Sequence, residues 1–293
     1  MARPVVSAAG GVAASGPVAA PAPFFASRRA GGVPGLALFL NAGDPPLSVL
    51  RELVFMLDEE GVDCLELAVP FPDSVTDGPV VRRSARRALE RGGVGLEEVL
   101  GFVADVRPRL ARTRIALLAD WRYSLAERDL AAVTGDIAAA AVDGLLVHAL
   151  PPRLREEHLG SAAQVGLPVV TTCYAQSASS TQEQAAAQAS AYLYLVAHYG
   201  RSGTAPGAGH AALARTVAGL RPHTTSPIAV GFGVSTAKDV AAVGAAGADA
   251  AIIGSAAVAA VEAAQDRGGD VIDAFRLFVR SVRPCSVVGS VPQ

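Results

Sequence analysis

The 293-residue chain predicts an α/β fold, a single-domain (β/α)8 or TIM barrel, on three observations. Short apolar runs recur along it, segments of helical periodicity separate them, and glycine-bearing loops follow the last two runs. The runs span residues 36–40, 64–69, 115–119, 144–148, 168–174, 191–196, 227–231 and 250–254. Each is too short for an ordinary helix and is continuous rather than alternating, the pattern of strands buried on both faces. Eight such strands alternating with helices make a parallel barrel. An open doubly wound sheet is the competing arrangement, because Ala-rich runs blur strand and helix here.

The helical segments follow in order. Leu50, Leu53, Val54 and Leu57 fall at i, i+3, i+4 and i+7, with Gly61 as the stop. Leu96, Val99, Leu100 and Val103 repeat the pattern before Pro108 ends it. Ser180-Thr181-Gln182-Glu183 reads as a capping box that opens an Ala/Gln-rich helix. Val240, Val243 and Gly244 belong to another helix, closed at Gly247.

Composition sets the limits. With 51% hydrophobic residues the chain can bury a large core, assigned to residues 31–285. Residues 1–30 are mostly Ala, Gly, Pro and Val and are expected to be a disordered extension that buries little. Arg3 and the small apolar residues after it faintly suggest a signal peptide, but Gly10-Gly11, Gly16-Pro17 and Pro21 interrupt it. Residues 286–293 form a C-terminal tail. No run reaches the ~18 apolar residues of a membrane span. A net charge of −2 offers no field for nucleic acid or an anionic membrane, although backbone amides can still hold small anions. Lys238 is the only Lys, so no other position could form a Schiff base. Cys64, Cys173 and Cys285 are widely spaced without metal-ligand spacing, so no metal site is expected, and the sparse count fits a reducing cytoplasm.

The chemistry concentrates in residues 65–79. Glu66 sits inside an apolar run of strand length, where an ionised carboxylate is costly unless paired or employed. The run breaks at Pro70 into a loop that carries Asp77 before Gly78-Pro79. Two readings stand: an acid pair at the carboxyl end of a barrel strand, or a Glu held by a neighbouring Arg with an Asp that shapes a turn. Gly231-Phe232-Gly233-Val234-Ser235 and Gly254-Ser255-Ala256 follow the seventh and eighth runs, where barrels commonly bind phosphate. After the sixth run, His198-Tyr199-Gly200-Arg201-Ser202-Gly203 opens a loop long enough to be a lid.

Glu66 followed by Pro70-Phe71-Pro72-Asp73 and Asp77-Gly78-Pro79 resembles the signature of the tryptophan synthase α subunit family. Gly43-Asp44-Pro45 and the two glycine loops are also similar to that family, in the right order, over about residues 35–279. The resemblance implies a barrel lyase that splits indole-3-glycerol phosphate into indole and glyceraldehyde 3-phosphate without a cofactor. It implies Glu66 as general acid/base and Asp77 as acceptor of the indole N–H. Gly203, Gly233, Gly254 and Ser255 would hold the phosphate. Tyr194 and Phe232 would pack near the ligand, with Phe39 and Leu118 as walls or simply as core. A tryptophan synthase β-like subunit is the implied partner.

Three departures stand out. Asp120 occupies the position of a usual Tyr and adds a carboxylate at the site, or else pairs with Arg122 at the surface. His148 replaces a usual small residue, and His198 replaces a permanent cation in the lid. The acid pair is untouched, so the chemistry reads as retained. The competing expectations are a diverged lyase acting on a related phosphorylated substrate and a non-catalytic allosteric partner of a β-like enzyme.

Overall fold

The computed structural model describes residues 24–25, 33–197, 208–231 and 233–284. Its strands are β1 (Gly35–Asn41), β2 (Cys64–Ala68), β3 (Arg114–Asp120), β4 (Gly144–His148), β5 (Val170–Tyr174), β6 (Tyr192–Val196), β7 (Ile228–Gly231) and β8 (Ala250–Ile253). The helices are α1 (Leu47–Glu59), α2 (Pro79–Glu90), α3 (Leu96–Val106), α4 (Leu130–Ala139), α5 (Arg155–Gln164), α6 (Ser179–Gln188), α7 (Ala208–Leu220), α8 (Ala237–Ala245), α9 (Ser255–Asp266) and α10 (Val271–Ser281). A π-helical turn, Trp121–Leu125, follows β3. Every apolar run forms a strand, and the barrel is selected over the open sheet.

The strand order is β4-β3-β2-β1-β8-β7-β6-β5, with parallel neighbours. One bridge, Leu145 to Val169, closes the ring between β4 and β5, where the Leu145 N–H donates to the Pro168 carbonyl at 2.9 Å. The seam is thin because Pro168, without an N–H, can only accept.

Period-two alternation sorts each strand into two cores. Leu65 and Leu67 of β2 face the helices and join the outer core. Cys64 of β2 turns inward with Ala37, Ala116, Ala229 and Ala250. These small inner residues leave room for aromatic rings on the barrel floor. Tyr192 occupies it, with Phe24 and Phe25 edge-on at ring centroid separations of 5.2 and 5.5 Å. Gly35 and Gly144 open their strands against those rings. A Cβ on Gly35 would come within 2.6 Å of Phe25, and one on Gly144 within 3.2 Å of Phe24.

Two expectations are corrected. The N-terminal extension does not bury little throughout: Phe24 and Phe25 are each 3% exposed and plug the barrel. Nor does Ser180-Thr181-Gln182-Glu183 cap a helix, since α6 starts at Ser179 behind Ala178 with no side-chain cap. Gln182 instead donates to the carbonyls of Tyr174, Ala175 and Ser177, which fastens the loop after β5. The tail 286–293 and Cys285 lie outside the described residues.

The loops around the barrel mouth are tied to the helices. Asp44, buried after β1, accepts from Arg87 and Arg91, and Arg87 also meets Glu262 of α9. Asn41 at the end of β1 donates to the Val81 carbonyl and to Ser84. Together these contacts fix α2, and with it the chain just after Asp77.

Candidate active site

Glu66 is the central residue of β2, and alternation with Leu65 and Leu67 turns its side chain into the barrel. It is 3% exposed. Its partner is not an arginine: the Tyr192 hydroxyl donates to Glu66 Oε1 at 2.6 Å. Burial pushes the Glu66 carboxyl from the usual 4.5 up to about 7, against the pull of the Tyr192 hydrogen bond, which favours the ionised form. Near neutrality such a group both gives and takes a proton.

A cavity of about 340 Å³ opens above it at the carboxyl ends of the strands. Phe39, Glu66, Asp77, Leu118, Tyr194, Gly233, Gly254 and Ser255 all line it. The structure thus brings together residues that lie nearly 220 positions apart in the chain. Tyr194 lies across Gly231, whose missing side chain makes the space; a Cβ there would meet the Tyr194 hydroxyl at 2.6 Å. Burial, followed by the charges of Glu66 and Asp77, drives the Tyr194 phenol well above its ordinary range, so it stays a neutral donor. Phe232 and Gly203, with the rest of the lid 198–203, lie outside the described residues.

The two glycine loops differ in what they offer an anion. Thr236 and Asp239 cap α8, and the Asp239 carboxylate already accepts from the Ser235 and Thr236 N–H groups. By contrast, α9 begins at Gly254-Ser255 with no side-chain cap, and Ser255 and Ala256 face the cavity. First-turn N–H groups lack helical partners and carry the positive end of the helix dipole, and those of α9 are left without a side-chain cap at the cavity. Among the described residues no group of three or more His, Cys, Asp or Glu converges as metal ligands.

Asp120 does not stand on the cavity wall, nor does it pair with Arg122. It is 3% exposed, and its carboxylate meets His148 Nδ1 at 2.8 Å and the Tyr123 N–H at 3.1 Å. Arg122 lies over the Tyr123 ring instead, 5.5 Å from its centroid. The register of β3 and β4 sets Asp120 directly beside His148, and it is His148 that lines the cavity.

Tyr192 and the polar wall residues Thr172 and Tyr174 escaped the reading of the sequence. A signal for Tyr192 existed. It precedes Tyr194 by two, so it shares the inward face one layer lower, and a buried Glu66 requires a donor there. Thr172 and Tyr174 carried none, because which face of β5 meets the cavity depends on the register around the ring.

A family model described as "Tryptophan synthase alpha chain" matches residues 25–284. The tryptophan synthase alpha chain of Synechococcus elongatus is 35% identical over 234 residues, 80% of this chain and 86% of that protein. That of Acaryochloris marina is 35% identical over 259 residues, 88% and 95% of the two chains. Among solved structures, a mutant tryptophan synthase alpha-subunit from Pyrococcus furiosus superposes with a TM-score of 0.74 at 26% identity, covering 86% of this chain and 97% of that one. The family model spans nearly the whole barrel and the relatives share about a third of their residues with it, so the chain belongs to the tryptophan synthase alpha chain family.

Proposed function

We propose that this chain is a carbon–carbon lyase that cleaves indole-3-glycerol phosphate to indole and glyceraldehyde 3-phosphate. The observation that carries the reading is Glu66, a buried carboxylate held near neutrality on the floor of the cavity, with the uncapped N-terminus of α9 at its rim. The phosphate sits against Gly233, Gly254 and Ser255, and the indole lies between Phe39, Leu118 and Tyr194. Glu66 takes the proton of the side-chain hydroxyl and delivers a proton to indole C3. The bond from C3 to the glycerol carbon breaks, its electron pair returns to the ring, and the hydroxyl carbon leaves as an aldehyde. Atoms balance with one proton moved and no cofactor consumed. Asp77 accepts the indole N–H and stabilises the positive charge of the C3-protonated ring.

The name of the family places its members as one chain of a larger enzyme, so a tryptophan synthase β-like subunit is the proposed partner. Two buried free thiols, Cys64 and Cys173, support a reducing cytoplasm as the compartment. Among the described residues no helix is long and apolar enough to cross a membrane.

The deciding experiment supplies indole-3-glycerol phosphate to the purified chain, with and without a β subunit, and quantifies free indole against Glu66→Gln. Release that depends on Glu66 supports the reading, and equal release from the variant overturns it. One wall favours a second reading. Thr172 and Tyr174, both hydroxyl-bearing, line the cavity, which suits a related phosphorylated substrate with a polar ring substituent. Indole-3-glycerol phosphate would then bind and compete without turning over.

A further inference from the structure

Asp77 is carried by the stretch between β2 and α2, a loop long enough to move. Its far end is fixed, because α2 is fastened to Asn41 and Asp44. The loop itself is held by a separate set of contacts to the rim of β3 and β4. The Phe71 ring stacks with Tyr123, at 5.8 Å and 21°, and with His148, at 5.7 Å and 25°. Five residues on, Thr76 Oγ1 lies 3.3 Å from His148 Nε2. Ser74 links the same turn together, 3.3 Å from Thr76 Oγ1 and accepting from the Asp77 N–H at 3.3 Å.

Asp120 orients both sides of this clamp. One carboxylate oxygen holds His148 Nδ1 and the other holds the Tyr123 N–H, so the imidazole and the Tyr123 backbone are anchored to one buried group. His148 Nδ1 thus meets the Asp120 carboxylate while Nε2 meets the Thr76 hydroxyl. Both ring nitrogens are therefore engaged in holding the loop. The contacts grip the loop at Phe71 and at Thr76, on either side of Asp73, whose φ of 57° is a left-handed turn.

We propose that Asp120 and His148 are positioning residues that hold Asp77 in its working place by bracing the loop through Phe71 and Thr76. For catalysis the proposal rests on Asp77 acting on the substrate as in the preceding section, whereas the brace itself does not.

Two measurements test it. The first is amide hydrogen exchange on the ligand-free chain, over the peptide spanning residues 69–78. His148→Phe keeps a ring against Phe71 and loses both nitrogens. Exchange there rises at least several-fold if the brace exists, while peptides from β1 and β8 are unchanged. Unchanged exchange over 69–78 overturns the proposal, whatever the chain catalyses. The second is indole release, by a cycle of Thr76→Val, His148→Phe and the double variant. Thr76 is exposed and its replacement leaves the core intact. The expected result is a kcat loss of roughly 10- to 100-fold in His148→Phe with KM nearly unchanged. Thr76→Val should also lower kcat, yet cost nothing further in the His148→Phe background. Additive losses, or a loss confined to KM, overturn the proposal. A wild-type chain that releases no indole, alone or with a β subunit, refutes the functional reading, and the exchange measurement then decides the brace alone.

Discussion

Tyr192 donates to Glu66 across the barrel, from the first residue of β6 to the middle residue of β2, and both are buried. The pair sets the working range of the acid: burial raises the Glu66 carboxyl and the phenol restrains the rise. Several expectations rest on this arrangement and on its surroundings.

Removing the phenol should make Glu66 a weaker acid. In Tyr192→Phe the hydrogen bond that favours the ionised form is gone, so the carboxyl moves above its value of about 7. The limb of the kcat/KM profile that reports Glu66 ionisation shifts to higher pH. An unmoved limb would show that the hydrogen bond does not tune this group.

Glu66 should cost stability at high pH. Below about pH 4.5 the acid is protonated in both folded and unfolded chains, and nothing is lost. Between 4.5 and about 7 the unfolded chain releases a proton that the native state keeps, so stability falls as pH rises. Above 7 the full cost, about 3 kcal/mol, is present. Glu66→Gln, which still accepts from Tyr192, removes that dependence. Urea unfolding at pH 4 and pH 8 should show the variant gaining on the wild type by about 3 kcal/mol between the two. A constant difference would mean that Glu66 titrates alike in both states.

The barrel floor should depend on two residues of the N-terminal extension. Phe24→Ala leaves a void against Tyr192 and Gly144 and should destabilise by about 3–5 kcal/mol. A chain starting after residue 25 should lose more. Thermal unfolding checks both, and a loss below about 1 kcal/mol would mean that the plug is energetically idle.

The anion end of the cavity should respond to one charge. Ser255→Asp puts a carboxylate at the uncapped start of α9 and should weaken binding of glycerol 3-phosphate on the order of tenfold. Lys238→Ala, on the self-capped α8, provides a matched change of charge nearby. Calorimetry with both variants distinguishes the two helix starts, and equal losses would place the phosphate elsewhere.

Much of this was legible in the linear chain. The strands stood out because residues buried on both faces must be apolar, and the helices because one stripe faces the sheet. Glu66 declared itself as a carboxylate among apolar neighbours. The capping box at residues 180–183 misled because the same residue types bond other groups when an adjacent loop needs them, as Gln182 does. For Asp120 the sequence offers only a place at the site or its neighbour Arg122, because it shows neighbours and hides His148 on the strand alongside.

By itself, then, the sequence determined the barrel, the acid on its second strand and the glycine loops at its last two. Those features are local: periodicity, backbone freedom and the cost of burying charge act within a few residues of chain. Only the tertiary structure decided the partners. Tyr192 lies 126 positions from Glu66 and His148 lies 72 from Thr76, and these pairs meet through strand register and ring closure. Register is a property of the whole barrel, set when all eight strands pack at once, and no single segment encodes it.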